Sequence, residues 1–328
     1  AGGELCIGEG GTSAGTTIFT AANTYLGRTA ISGHDAVLQL GASGVIPDTS
    51  AVVFSYGGGT FDLQGHNEEI GGLQSWYSSS EVTLGTATLT VGHDDSDHTF
   101  SGTIVGTGDV RKVGSGVQHF TGVQSYTGDT LVERGFLMNS GTIVGNTYAS
   151  AQGTVEGTGE FALLAFDDGG TFSPGEAGGI RGFAQSAAGV WGDGGTYRWD
   201  INDADGTAGF HWDLWKLDGS LESEVGAQLA IDGNAAGFNN TQEYSWLIAE
   251  TTAPGDLANF EVGDVTVDSS GFGPDTGEGQ FWLAIEGDAL YLEFGTPEVP
   301  SPSAAVGLLG MVGVGVALPR RRRRPARR

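Results

Sequence analysis

A single cysteine, Cys6, is present in 328 residues, so no intrachain disulfide can staple the fold. Basic residues are scarce as well. The chain has 14 Lys and Arg against 40 Asp and Glu, and seven of the 14 are Arg320 to Arg324, Arg327 and Arg328. Residues 1–296 keep seven basic residues against 39 acidic ones, a net charge of −32, and the remainder carries +6. A nucleic-acid binder needs a basic footprint. The body has the opposite sign, which excludes nucleic acid as a partner. Helical periodicity is also missing: no window longer than about ten residues repeats apolar positions every 3.6 residues. No charged-then-apolar leader precedes the body and the first residue is Ala1, so a fragment or a processed form is expected.

Glycine is what the chain has in excess, at 59 residues against an average of about 7%. It shows no three-residue period, and 38% of residues are hydrophobic, with seven Trp and sixteen Phe. Collagen-like and wholly disordered chains are thereby excluded. A turn-rich all-β protein remains. Short alternating runs fill the sequence up to about residue 165, among them Thr17–Thr20, Ala36–Leu40, Val52–Phe54, Thr60–Leu63, Val82–Leu84, Ala87–Val91 and Thr103–Val105. Period-2 alternation closed by Gly, Asn, Asp or Ser reads as strands.

An internal repeat narrows the architecture. Asn23–Ile31 (NTYLGRTAI) recurs as Gln124–Val132 (QSYTGDTLV), with Tyr25, Gly27 and Thr29 matching Tyr126, Gly128 and Thr130, and Phe19 matching Phe120 upstream. Repetition without disulfides favours stacked rungs, each burying its apolar face on its neighbours. The segment Gly114–Gly141 (GSGVQHFTGVQSYTGDTLVERGFLMNSG), its earlier copy Gly15–Gly44 and the later TFSPGEAGG turn resemble the autotransporter-associated β-strand repeat. That resemblance implies a right-handed parallel β-helix, exported and displayed at the cell surface, with no enzymatic chemistry.

Three regions are expected: residues 1–165 as a β-helix with these repeats, 166–295 as continuing Trp-rich rungs, and 296–328 as a separate tail. In the second region Tyr197, Trp199 and Ile201 alternate with Arg198 and Asp200. Phe210, Trp212 and Leu214 fall on one face of a strand, with Trp215 and Leu217 on the other. Further strands are expected at Gln228–Ile231, Tyr244–Ala249, Gly263–Val267, Phe281–Ile285 and Ala289–Phe294. Trp on such strands ordinarily fills the core. Trp191 and Trp215 are the candidates for exposure and for carbohydrate contact.

The tail runs from a Pro-rich linker through an uncharged apolar stretch, Ala304–Leu318, to five consecutive Arg. The apolar stretch reads as a short helix, shorter than the roughly 20 residues that span a bilayer comfortably. Arginines after it would hold the C-terminus in the cytoplasm and leave the body outside. The layout resembles the PEP-CTERM sorting signal, with Pro297-Glu298-Val299-Pro300 in place of the usual Pro-Glu-Pro triplet and Arg320, Arg321, Arg322, Arg323 and Arg324 as the basic cluster. The resemblance implies processing by an exosortase, a membrane contact through the helix, and localisation in the cell envelope or outside the cell.

Candidate chemistry is sparse. His93, Asp94, Asp95 and Asp97 form the densest ligand cluster. They read either as an oxygen-rich loop for Ca²⁺ or as a polar turn between strands. Asn202-Asp203-Ala204-Asp205-Gly206 fails as an EF-hand, because Ile201 and Trp212 stand where the loop needs its first and twelfth ligands. The glycine-rich GTGDVRKVGSG follows no strand–helix switch and is no phosphate loop. Asp167, Asp168, Asp203, Asp205 and Asp213 could supply carboxylate pairs to a polysaccharide hydrolase or lyase. Positive groups to accompany them are few, and the charge would repel an acidic substrate. The chain reads as a structural surface or matrix protein, serving adhesion or exopolysaccharide attachment, with no enzyme activity and no cofactor. The alternative is a carbohydrate-binding or polysaccharide-degrading β-helix.

Overall fold

The computed structural model describes residues 3–8, 15–175 and 182–296. Among these residues the chain forms 29 strands and one 3-10 turn, Val262–Asp264, with no α-helix. The strands wind into a parallel β-solenoid of about nine turns. Three faces repeat along it. The first stacks Leu5–Ile7, Thr29–Ser32, Val52–Ser55 and Leu73–Gln74, then passes to His98–Phe100, Val117–Phe120 and the second half of Thr130–Asn139. The second stacks Gly15–Phe19, Ala36–Leu40, Gly59–Asp62, Ser80–Thr83 and Thr103–Val105. The third stacks Glu68–Ile70, Leu89–Val91, Val110–Lys112 and the first half of Thr130–Asn139. The apolar C-terminal helix expected at Ala304–Leu318 lies outside the described residues.

The register gives the length of a turn. Val37 stands opposite Thr60, and Val110 opposite Thr130, so one turn takes 23 and then 20 residues. Tyr25 and Tyr126 precede strands on different faces, the first and the third, yet each hydroxyl is bonded to the Thr four residues on: Tyr25 Oη lies 2.6 Å from Thr29 Oγ1, and Tyr126 makes the same pair with Thr130. The Gly between them is needed for close approach. A Cβ on Gly27 would stand 2.1 Å from the carbonyl oxygen of Gly3, and one on Gly128 2.2 Å from that of Gly108.

Alternation along the strands sends side chains inward at each turn, where they stack in columns. Phe54, Phe100 and Phe120 form one such column, with centroids 5.7 and 6.4 Å apart. At the corners the ladder of backbone bonds breaks, and buried polar side chains replace it. Gln118 accepts from the Leu73 N–H and donates to the Leu73 carbonyl, both at 3.0 Å. Gln124 accepts from Ile104 N–H and donates to Gly102 O. Glu68 accepts from the N–H groups of Val45 and Ile46, each at 3.0 Å. Each pairing removes an orphan that would otherwise be buried unsatisfied.

Parallel pairing continues across residue 165, with Glu160–Phe166 stacked on Phe183–Trp191. The composition change there marks wider turns. Thr196 faces Gln228 and Gln228 faces Thr266, so these turns take 32 and 38 residues. Two expectations need correction. The sequence 210–217 is not one strand: only Leu214–Leu217 is extended, and Phe210 is exposed in the turn before it. Rungs also do not continue to residue 295. Tyr244–Thr251 pairs antiparallel with Ala289–Gly295, which pairs antiparallel with Gln280–Glu286.

Gly128→Ala should lower stability by about 1–3 kcal/mol, the usual cost of overpacking a filled site. Gly263→Ala, with nothing within 4 Å of its added Cβ, should leave the urea midpoint unchanged. Equal midpoints for the two variants would contradict the close-stacking account.

Candidate functional site

The turn carrying His93, Asp94, Asp95 and Asp97 links the third face to the first. Its side chains do not converge. His98 Nε2 lies 2.8 Å from Asp94 Oδ2, and His93 Nε2 lies 3.1 Å from Glu69 Oε2. Asp95 Oδ1 accepts from the backbone N–H of Ser115 at 2.7 Å, and Asp97 Oδ1 from that of Val117 at 2.8 Å. Hydrogen bonds from Ser115 hold the Asp95 carboxyl below its ordinary pKa. Among the described residues no group of three His, Cys, Asp or Glu is placed to hold a metal ion. Closeness in sequence fails to become a cage because Asp95 and Asp97 are drawn to the backbone of the adjacent turn while Asp94 is held by His98 and Ser96 of its own turn.

The carbohydrate-contact candidates are corrected outright. Trp191 and Trp215 are fully buried. Trp191 Nε1 donates to Gly195 O and Trp215 Nε1 to Ser186 Oγ. Their rings pack on Phe166 at 5.9 and 5.7 Å, and Trp215 lies 4.9 Å from Phe172. The wider turns of this half need larger side chains to fill them, so the indoles go inward. The sorting-signal residues Pro297, Glu298, Val299, Pro300 and Arg320 to Arg324 lie outside the described residues.

Two constellations are absent from the sequence-based expectations. In the first, strand Thr196–Asp203 turns Arg198 and Asp200 away from the core, and three carboxylates lie around the guanidinium. Arg198 lies 3.8 Å from Glu156 Oε1, 3.8 Å from Asp200 Oδ2 and 4.0 Å from Asp232 Oδ2. Asp213 folds over this strand: its Oδ2 accepts from Asp200 N–H at 3.2 Å, and its backbone carbonyl accepts from Trp199 Nε1 at 2.8 Å. Burial, then the charge of Asp200, pushes the Asp213 carboxyl well above the usual range. Burial raises Glu156 and Asp200 too, with Arg198 opposing it. A raised carboxyl beside an arginine is what a hydrolase would use as an acid. Here Glu156 is 2% and Asp213 0% exposed, so neither meets a ligand at the surface. The group is a seam between turns in which one guanidinium offsets part of the carboxylate charge. Contact of distant rungs, which no local motif encodes, is what assembles it.

The second constellation is aromatic and exposed. Tyr56, Trp76 and Tyr77 are 70%, 72% and 40% exposed at the corners between the first and second faces. A signal for it was available: adjacent Trp76 and Tyr77 cannot both point inward on a period-2 strand.

The raised Asp213 carboxyl has a pH consequence. Unfolded, it releases its proton near the ordinary value of about 3.9. Folded, it keeps that proton to higher pH. Its contribution therefore favours the folded state at low pH and is lost as pH rises above about 4. Asp213→Asn keeps an acceptor for Asp200 N–H and removes the titration. Urea unfolding at pH 4 and pH 7 should show the variant gaining on the wild type at the higher pH. A pH-independent difference would refute the assignment.

No protein-family profile matches the chain. A curated protein, the adhesin BmaC autotransporter of Brucella suis biovar 1 (strain 1330), is 37% identical over 108 residues, which cover 30% of this chain and 3% of that protein. The chain thus spans a small fraction of that relative's length, and what it shares with an autotransporter adhesin is a distant likeness over less than a third of its residues.

Proposed function

We propose that the chain is an exported, surface-displayed adhesion protein whose solenoid is a stiff structural scaffold and whose tail is a sorting signal processed by an exosortase. The observation that carries the reading is the parallel solenoid joined to its likeness with an autotransporter adhesin. Three further features support it. A stacked solenoid offers a long surface held by contacts between neighbouring turns. The acidic body keeps such a surface soluble and repels like-charged matter. The order of Pro-rich linker, apolar stretch and arginine cluster resembles a PEP-CTERM signal.

Carbohydrate binding on the same scaffold is the second reading, favoured by the exposed aromatic corner. The two are compatible, since a surface protein can attach to exopolysaccharide. Polysaccharide cleavage gains no comparable support, because Glu156 and Asp213, two acids of the Arg198 cluster with raised pKa, are enclosed.

Two measurements test the proposal. A secreted reporter fused to residues 296–328 should stay in the cell envelope in a strain without exosortase; free secretion would sink the sorting claim. Beads coated with the chain should adhere to anionic cell surfaces better as salt rises from 0.01 to 0.15 M, because the screening length falls from about 30 Å to about 8 Å. Beads that fail to adhere at any salt concentration would remove the adhesion reading.

A further inference from the structure

We infer that the corner bearing Tyr56, Trp76 and Tyr77 is a stacking ledge for a neutral polysaccharide. The inference rests on the surface-adhesion reading and names what that surface takes.

The ledge follows from register. Val53 faces Gln74 on one side of the corner, and Gly59 faces Ser80 on the other. The intervening loops are equal in length, so Tyr56 lies opposite Tyr77, one turn or about 4.8 Å away. Ser79 Oγ donates to Gly57 O at 2.6 Å and ties the two loops together. Buried Ser75 pins the base of the second loop: its Oγ accepts from Tyr77 N–H at 3.0 Å and lies 2.6 Å from Ser80 Oγ. Tyr56 has φ 51°, a left-handed backbone that bulky side chains rarely adopt. The corner therefore holds its rings outward on a fixed frame, which lowers the ordering cost of binding.

On the next turn the corner shrinks. Ser75 bridges Phe100, and a Cβ on Gly102 would stand 2.3 Å from Ser80 O. A loop of four residues, 76–79, is thus succeeded by Ser101 alone, and the aromatic loop stands proud of its neighbour. Beyond the step the corners repeat as Phe100-Ser101-Gly102, Phe120-Thr121-Gly122 and Asn139-Ser140-Gly141. Thr121 Oγ1 donates to Ser101 Oγ at 2.9 Å, His119 Nε2 flanks the track 2.9 Å from Ser140 Oγ, and the glycines let adjoining turns pack closely. The result is a raised pair of aromatic rings beside a shallow path of hydroxyl groups. The rings suit the C–H face of a pyranose, and the path suits its hydroxyls.

Charge and area select the occupant. Residues 76–80 and the track residues Ser101, Thr121 and Ser140 carry no charge, and the body is strongly acidic, so an anionic glycan is disfavoured. With about 150–250 Å² per aromatic side chain and their fractional exposures, the three rings offer roughly 300–450 Å². A stable protein partner needs about 800 Å² per side, whereas a few sugar rings need no more than the ledge provides.

The test is affinity electrophoresis of the full chain through gels containing laminarin, xyloglucan, glucomannan or dextran, with alginate as the anionic comparison. At least one neutral polysaccharide should retard the chain and alginate should not. Trp76→Ala should weaken that retardation tenfold or more. Trp282→Ala, which removes a Trp that is 41% exposed on a different strand, should change it less than twofold. Bound polysaccharide should also protect tryptophan from acrylamide quenching in the wild type and not in the Trp76 variant. Trp76→Ala removes an exposed ring, and an unchanged melting midpoint should confirm its fold. Retardation by none of the four neutral polymers, or retardation that survives Trp76→Ala, overturns the inference. Bead adhesion run in parallel separates the two claims: adhesion without retardation overturns the ledge alone, and absent adhesion overturns the underlying reading.

Discussion

Parallel backbone hydrogen bonding between successive turns is the constraint on which the rest depends. It fixes the separation of neighbouring turns at about 4.8 Å, and every residue must then tolerate a near copy of its own environment directly above and below. Inward positions meet this by stacking, as Phe120 does on Phe100 and as Phe54 does across the small Ser75 between it and Phe100. Corners meet it by omission. Gly27 and Gly128 are glycine because the carbonyl of the preceding turn already occupies the space of a Cβ. The glycine excess is therefore a record of close contact between turns as much as of turn conformation.

The same constraint decides which polar groups are buried. A solenoid must bend at its corners, and there a strand's N–H and C=O groups lose their partners. Gln118, Gln124 and Glu68 enter the interior at these places and act as substitutes for peptide groups. Their cost of desolvation is offset because each bond they make replaces one the ladder lacks. Asp213 belongs to a different case. It has one oxygen engaged by Asp200 N–H and the other without a partner among the described residues, and its raised pKa answers that imbalance by keeping a proton.

Local pattern made the fold legible where turns are short. Alternation located Ala36–Leu40 and Thr103–Val105 to the residue, and the Tyr25/Tyr126 repeat pointed to stacking. Legibility failed where an interaction spans turns. Alternation counted from Phe210 puts Trp215 on the outer face, but the strand begins only at Leu214 and its outward residue is Lys216. The four ligand-like residues at 93–97 are adjacent in sequence, yet Asp95 and Asp97 are each claimed by a backbone group some 20 residues away. The seam around Arg198 joins residues as distant as 156 and 232, beyond the reach of any motif. The exposed ring of Trp76 was readable in principle from its neighbour Tyr77, but the step that sets it proud depends on the loop of the next turn being shorter.

The reversal of strand direction at the end of the solenoid has a consequence for assembly. A parallel stack is its own template: its last open edge has the geometry to receive another turn, including one from a second molecule. Here Ala289–Gly295 lies antiparallel on Tyr244–Thr251 and is covered in turn by Gln280–Glu286. The open strand of the first face, Val265–Phe272, is polar along Asp268-Ser269-Ser270 and pairs with a register shift between Ala230 and Asp232. Addition of a further parallel turn is thus interrupted at Tyr244–Thr251, where an antiparallel pair occupies the edge that the repetition would otherwise leave open.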